Sequence, residues 1–224
     1  VCEGDQGGDP GPGPGPGPGT SVPPEPSTPA TPEPSDADSV DTLVFDLETG
    51  SDDELHVTDD PGFIRLATYS INGAEPVATT DIADELLPLI ERAGVVVGHD
   101  LIQHDLAVLQ RLYGLDVEAL VKSNRVHDTL VMVRLAAGGA KNLEYTLDAV
   151  ASRYCVCGGS LKGVQAITVV YSKLLPETVD AVGEEYLRRE HEKTYALSVV
   201  EAHGVHVDTA KVEDFFAEEE QTKS

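Results

Sequence analysis

Asp46 and Glu48 close the hydrophobic run Leu43-Val44-Phe45-Asp46-Leu47-Glu48-Thr49, with one residue between them. The run reads as a buried strand, and the two-residue period of a strand sends both carboxylates to the same side of it. Like charges held that close raise one pKa strongly unless a cation lies between them. A divalent ion with hard oxygen ligands is therefore the economical reading. The plainer reading is a strand that ends in solvent, and further carboxylates at compatible places decide between the two. A second apolar run, Gly94 to Gly98, opens into His99-Asp100-Leu101-Ile102-Gln103-His104-Asp105-Leu106. Leu101, Leu106, Leu109 and Leu112 fall roughly at helical spacing, which predicts a helix with Asp100 as its N-cap and Asp105 about one turn inside. A third stretch, Glu184 to Leu197, is strongly helix-forming, and its Tyr186 and Glu190 stand four apart on one face. Taken singly, Asp105 fits a solvated helix face, Tyr186 a packing residue and Glu190 a surface charge.

A frame must bring these segments together. Phe63 to Ile71 reads as a second strand that turns at Asn72-Gly73 into a third, Pro76 to Thr80, because Asn-Gly between apolar runs is a strong hairpin signal. Asp81 to Arg92 reads as a capped helix with Ile82, Leu86, Leu89 and Ile90 as its buried stripe. The strand Gly94 to Gly98 and the helix Asp100 to Tyr113 follow, then a short strand near Val126 and helices at Asp128 to Leu135 and Leu143 to Arg153. A hairpin followed by strand-helix alternation predicts an α/β domain, a mixed sheet flanked by helices. Cys157 to Val182 carries no element that can be read from its pattern.

The order D-x-E, then G-H-x-x-x-x-x-D-L, then Y-x-x-x-acid resembles the three exonuclease motifs of the DEDD superfamily, in the subgroup with tyrosine in the third motif. It is most similar to the proofreading 3'-to-5' exonuclease domains of family A DNA polymerases of the actinobacterial and phage type. Arg125-Val126-His127-Asp128-Thr129-Leu130 resembles the H-D-T segment of that family, and Tyr145-Thr146-Leu147-Asp148-Ala149-Val150-Ala151 its Y-D-L-D-A-V-A helix. The likeness runs from about Thr42 to Asp208. It implies a ribonuclease H-like fold and hydrolysis of DNA from the 3' end to 5'-mononucleotides. It also implies two divalent cations, Mg2+ or Mn2+, roughly 4 Å apart. By motif position Asp46 would bridge the ions, Glu48 and Glu190 would complete one site and Asp105 the other. Tyr186 would orient the attacking water, and His99 and Asp100 would lie beside the substrate. Three positions depart from the family: Asp100 replaces an asparagine, His104 an aromatic residue, and Glu190 an aspartate. Two alternatives stay open, a catalytically weak module that binds single strands or docks a polymerase, and a ribonuclease D-like trimming of RNA.

The chain has 224 residues, enough for one domain and a tail. Residues 1–41, with a Gly-Pro alternation from Pro10 to Gly19, offer almost nothing apolar to bury and read as a disordered acidic arm. Residues 42–208 are the expected exonuclease domain, and 209–224 a helical extension or the stub of a link to an absent polymerase domain. Cys155-Val156-Cys157 has one intervening residue and no second Cys or His pair at zinc spacing, so reduced thiols are expected there. His191, His203 and His206 read as surface residues, His99 as support for a strand end, and His127 with Asp128 as a strand-end and helix-cap pair. No run has the length of a membrane span and no signal peptide is evident, which predicts a soluble cytoplasmic protein. The net charge of −25 argues against avid binding of nucleic acid. The tail holds 8 of the 40 acidic residues and none of the 15 basic ones, so the remainder is still strongly acidic. A proofreading domain grips only a few nucleotides of a single-stranded 3' end, and divalent ions invert the local field. The duplex would be held by a DNA polymerase, here acting in trans.

Overall fold

The structure, a computed structural model, describes residues 39–51, 55, 57–140, 142–154, 161–204 and 208–212. Five strands form one mixed sheet in the order β3-β2-β1-β4-β5. The central strand β1 (Thr42–Glu48) is antiparallel to β2 (Leu66–Ile71) and parallel to β4 (Val95–Gly98). The edges are β3 (Val77–Thr79), antiparallel to β2, and β5 (Val126–Asp128), parallel to β4. Asn72 and Gly73 both take positive φ, 52° and 77°, in the turn after β2, which is the backbone that an Asn-Gly pair favours.

Strand alternation splits the core. Leu43, Phe45 and Leu47 bury on one face of β1 among Leu86, Ile90, Leu101 and Leu109, whereas Val44 buries on the other among Val97, Val164 and Ile167. The first face is covered by α1 (Leu87–Arg92), α2 (Leu106–Tyr113) and α3 (Val117–Lys122). A π-helical turn, Ile82–Leu86, leads into α1, and the Asp81 carboxylate accepts the Asp84 N–H at 3.0 Å. Ile82, Leu86, Leu89 and Ile90 are buried as the helical period requires. At the end of β4, a Cβ on Gly98 would come within 2.9 Å of Leu101 and 3.2 Å of the Phe45 carbonyl oxygen, so only glycine allows the following turn to close on β1.

The second face is covered by α6 (Gly163–Val182), which also packs with α4 (Thr129–Ala136), α5 (Leu147–Tyr154) and α7 (Glu184–His203) around Met132, Val133, Val150, Val170, Leu174 and Leu187. A single residue, Gly183 with φ of 83°, separates α6 from α7. The observed α/β architecture, a mixed sheet with helices on both faces, is the expected one. Several elements differ from the expected ones, and the stretch Cys157 to Val182, from which no element could be read, holds α6. The second strand begins at Leu66, because Asp60 and Pro61 start a 3-10 turn in which the Asp60 side chain accepts the Gly62 N–H. The helix expected from Leu143 begins at Leu147. Helix α3, which the sequence reading left out, is capped by Asp116 through the Ala119 N–H. Residues 1–38, Cys155, Cys157, His206 and 213–224 lie outside the described residues. Among the described residues no helix is long and apolar enough to cross a membrane.

Candidate functional site

Asp46 and Glu48 share one face of β1, the face that carries Val44 and looks toward α6. Glu48 is exposed and Asp46 half-buried. Burial raises the Asp46 pKa above the ordinary carboxylate range; the neighbouring His104 opposes the shift and Glu48 adds to it. Both carboxylates line a cavity of about 490 Å3, together with Glu75, Lys162 and the first residues of α6. Gly163 opens α6 with φ of 50°, and its position lies beside Asp46: a Cβ there would stand 3.6 Å from the carboxylate oxygen. Lys162 holds the N-cap position without a side-chain capping bond, and it lines the cavity with Gly163, Val164 and Gln165, the first residues of this 20-residue helix. The lining thus combines three carboxylates, those of Asp46, Glu48 and Glu75, with the side chain of Lys162.

Asp105 arrives from the other direction, at the end of a π-helical turn, Leu101–Asp105, that follows β4. It is 3% exposed, and its Oδ1 lies 2.9 Å from Nδ1 of His104. Burial pushes Asp105 up to about 7, against the pull of His104; the charges of Asp46 and Asp128 add to the rise. The other nitrogen of His104, Nε2, is 3.3 Å from the Thr49 hydroxyl at the end of β1. Sequence reasoning gave no role to His104 beyond its departure from the family, and its spacing from β1 gave no signal of this contact.

Asp100 does not cap the helix, contrary to expectation. Its backbone is left-handed, with φ of 60°, and its side chain makes no capping bond. The capping carboxylate comes instead from β5: Asp128 accepts the N–H of Asp100 at 3.1 Å, of Ile102 at 3.0 Å and of Leu130 at 2.9 Å. Asp128 thereby organises both the turn after β4 and the start of α4, the second of which matches the helix-cap role expected of it. Burial pushes Asp128 up to about 6 in spite of these donors. His99 spends both ring nitrogens inside the protein, on the Thr129 hydroxyl and the Tyr145 carbonyl, each at 2.9 Å. Its pKa is lowered by burial, so the ring is neutral, with Nε2–H donating to the carbonyl. Both partners are internal, which is the supporting role at a strand end.

On α7, Tyr186 is 49% exposed and the Glu190 carboxylate is paired with Lys193, one turn along the same helix. Among the described residues no hydrogen bond or ion pair joins either to Asp46, Glu48 or Asp105. His191 corrects the sequence reading: it is 2% exposed, four residues after Leu187 on the buried stripe of α7. Its Nε2 accepts the Asp128 N–H at 3.1 Å, and its ring stacks on His127. Its Nδ1, which must then carry the proton of the neutral ring, has no hydrogen-bond partner among the described residues. Burial lowers His191 to about 3 and His127 to about 4. Both rings bind protons in the unfolded chain below about pH 6.5 but stay neutral in the folded one until far lower pH. Their contribution is thus complete above pH 6.5 and is lost as pH falls toward 4. Asp105 and Asp128, with raised pKa values, run the other way and mask this loss in the wild type. Replacement by His191→Leu isolates it. Urea unfolding at pH 7.5 and 4.5 should show the mutant losing less stability on acidification than the wild type, by on the order of 2 kcal/mol; equal losses would mean that His191 is not held neutral.

The fit to the implied cations is partial. Asp46 and Glu48 supply two carboxylates to one cavity, and Mg2+ is commonly held by one or two carboxylates, with water and substrate phosphate completing the shell. The second ion lacks its donors, because Asp105 is turned to His104 and Glu190 to Lys193. Among the described residues no three His, Cys, Asp or Glu side chains converge closely enough to enclose an ion. Comparison of the sequence with protein-family models finds no match, and comparison with curated proteins finds none either.

Proposed function

We propose that this chain is a divalent-metal-dependent 3'-to-5' exonuclease that shortens single-stranded DNA to 5'-mononucleotides, in proofreading beside a DNA polymerase that acts in trans. The observation that carries the reading is the cavity at the end of β1, lined both by Asp46 and Glu48 and by Lys162 with the first residues of α6. A phosphodiester needs both kinds of group. Asp46 and Glu48 would hold a cation, and that ion, when bound, makes a water more acidic and neutralises charge on a phosphate oxygen. Lys162 and the first N–H groups of α6 offer donors and the positive end of a helix dipole to the remaining phosphate oxygens. Thr68 and Gln165 line the same cavity and would supply further hydrogen-bonding groups to the sugar or phosphate. The surrounding acidic surface predicts weak affinity that falls further with salt.

One observation favours the second reading, a binding module of low activity: the Asp105 and Glu190 carboxylates are engaged with His104 and Lys193 and not with the cavity. Incubation with 5'-labelled single-stranded DNA and matched RNA, in magnesium, manganese or chelator, tests both. A metal-dependent ladder receding from the 3' end of the DNA is expected. Faster shortening of the RNA would move the function to RNA trimming, and no cleavage in either metal would leave the binding module.

A further inference from the structure

We propose that the cavity where β5, the later part of α6 and the start of α7 meet binds a neutral, flat heterocycle of nucleoside size, through a ring acceptor turned to Nε2–H of His127. The cavity measures about 400 Å3, within the range of small-molecule sites. It shares no lining residue with the Asp46–Glu48 cavity, so binding there does not depend on the nuclease site. Its walls are aliphatic: Leu175 and Val179, one turn apart on α6, and Leu187 on α7. The polar side chains among the lining are His127 from β5, Asn124 from the turn before it and the exposed Glu184 from the first turn of α7.

Tyr171 fixes which nitrogen of His127 carries the proton. The Tyr171 hydroxyl lies 2.7 Å from Nδ1, and burial pushes that phenol up to about 12, so it keeps its proton and has one to donate. Burial also leaves the His127 ring neutral, pushed down to about 4. Nδ1 therefore accepts from Tyr171, and Nε2 carries the single ring proton. The ring is held in place, tilted against Tyr171 and stacked on His191 with centroids 5.9 Å apart, yet its Nε2–H has no acceptor among the described residues. A fixed donor left unpaired in a half-buried, largely aliphatic cavity gains most from an acceptor that a ligand brings. The Glu184 carboxylate disfavours an anion, and the aliphatic walls disfavour charge of either sign. Asn124 offers an amide donor and a carbonyl acceptor, which suits a ring that bears a nitrogen acceptor beside an N–H donor.

Adenosine is neutral and carries ring acceptors beside an amino group. Its titration into the whole chain, labelled with 15N-histidine and kept in chelator near pH 7.5, tests the site by NMR. The His127 ring signals, assigned by their absence in His127→Phe, should move more at Nε2 than at Nδ1. They should saturate with a dissociation constant on the order of 100 μM, the ordinary efficiency for a ligand of this size. Indole, equally flat but without a ring acceptor, should bind at least about tenfold more weakly. Val179→Phe fills the cavity and should abolish the shift. Asn124→Gly covers the case in which Val179→Phe does not fold, because the Asn124 φ of 58° suits glycine; it should weaken adenosine by about threefold or more at an unchanged melting temperature. An Nε2 shift that survives both substitutions, or indole binding as tight as adenosine, overturns the hydrogen-bonded site. So does the absence of any His127 shift at millimolar adenosine.

Discussion

Asp46→Asn should abolish shortening of single-stranded DNA, lowering kcat/KM by at least about a thousandfold, equivalent to about 4 kcal/mol of transition-state stabilisation. The amide keeps the size of the side chain and removes its charge from the cavity that Lys162 and Gly163 also line. The fold should not suffer. Burial, with Glu48 adding to it, raises the Asp46 pKa in the folded chain, so the charged form is less at home there than in the unfolded one. A group with a raised pKa contributes its stability below the ordinary carboxylate range and loses it as pH rises. Metal-free Asp46→Asn should therefore melt at the wild-type temperature or above, with the larger gain on the alkaline side. Added Mn2+ should raise the wild-type melting temperature and leave that of the mutant unchanged. If the ion protected both proteins equally, Asp46 would be no ligand and the cavity would lose its function.

What the sequence made legible follows a physical division between local and distant causes. The shared face of Asp46 and Glu48 was readable because strand alternation is set by the backbone of one segment, whatever packs around it. The buried stripe of Ile82, Leu86, Leu89 and Ile90 was readable for the same reason. Helix α6 was not, although Val164, Ile167, Val170, Leu174 and Thr178 repeat at three and four residues along its buried side. Its many β-branched residues and Pro176 lower intrinsic helix propensity, and tertiary packing on Val44 and Val97 overrides that. His191 was hidden by its charged neighbours from Arg188 to Lys193, since composition over a short window cannot separate the inner side of a helix from the outer. Its four-residue spacing from Leu187 held the signal. The contacts of His104 with Thr49 and of Glu190 with Lys193 depend on side-chain choices among several nearby partners. No spacing rule distinguishes a carboxylate turned to a cation from one turned to a histidine.

The misreading of Asp100 leads to the largest stability effect. An aspartate just before an apolar helical run has the look of an N-cap, and nothing local reveals that the capping carboxylate comes from Asp128, 28 residues later. Asp128 is 1% exposed and accepts three backbone N–H groups, at Asp100, Ile102 and Leu130. Asp128→Ala leaves those donors without an acceptor where water cannot readily replace it. Each unpaired buried donor costs roughly 1–3 kcal/mol, and because the three share one side chain their sum is not additive. A total loss of about 4 kcal/mol is expected, much of the stability of an ordinary domain. Asp128→Asn keeps one carbonyl oxygen and should lie between alanine and wild type in its urea midpoint. The gap between wild type and alanine should narrow as pH rises through about 6, because burial holds the Asp128 pKa there and the folded chain gains most from this group when it is protonated. Asp100→Gly is the discriminating companion. Asp100 has φ of 60°, which glycine adopts without strain, and its side chain caps nothing, so this change should be neutral or stabilising by up to about 1 kcal/mol. An Asp128→Ala protein as stable as wild type, or an Asp100→Gly protein as damaged as Asp128→Ala, would return the cap to Asp100. In that case the backbone between β4 and α2, which delivers both His104 and Asp105 to the end of β1, would have to be redrawn.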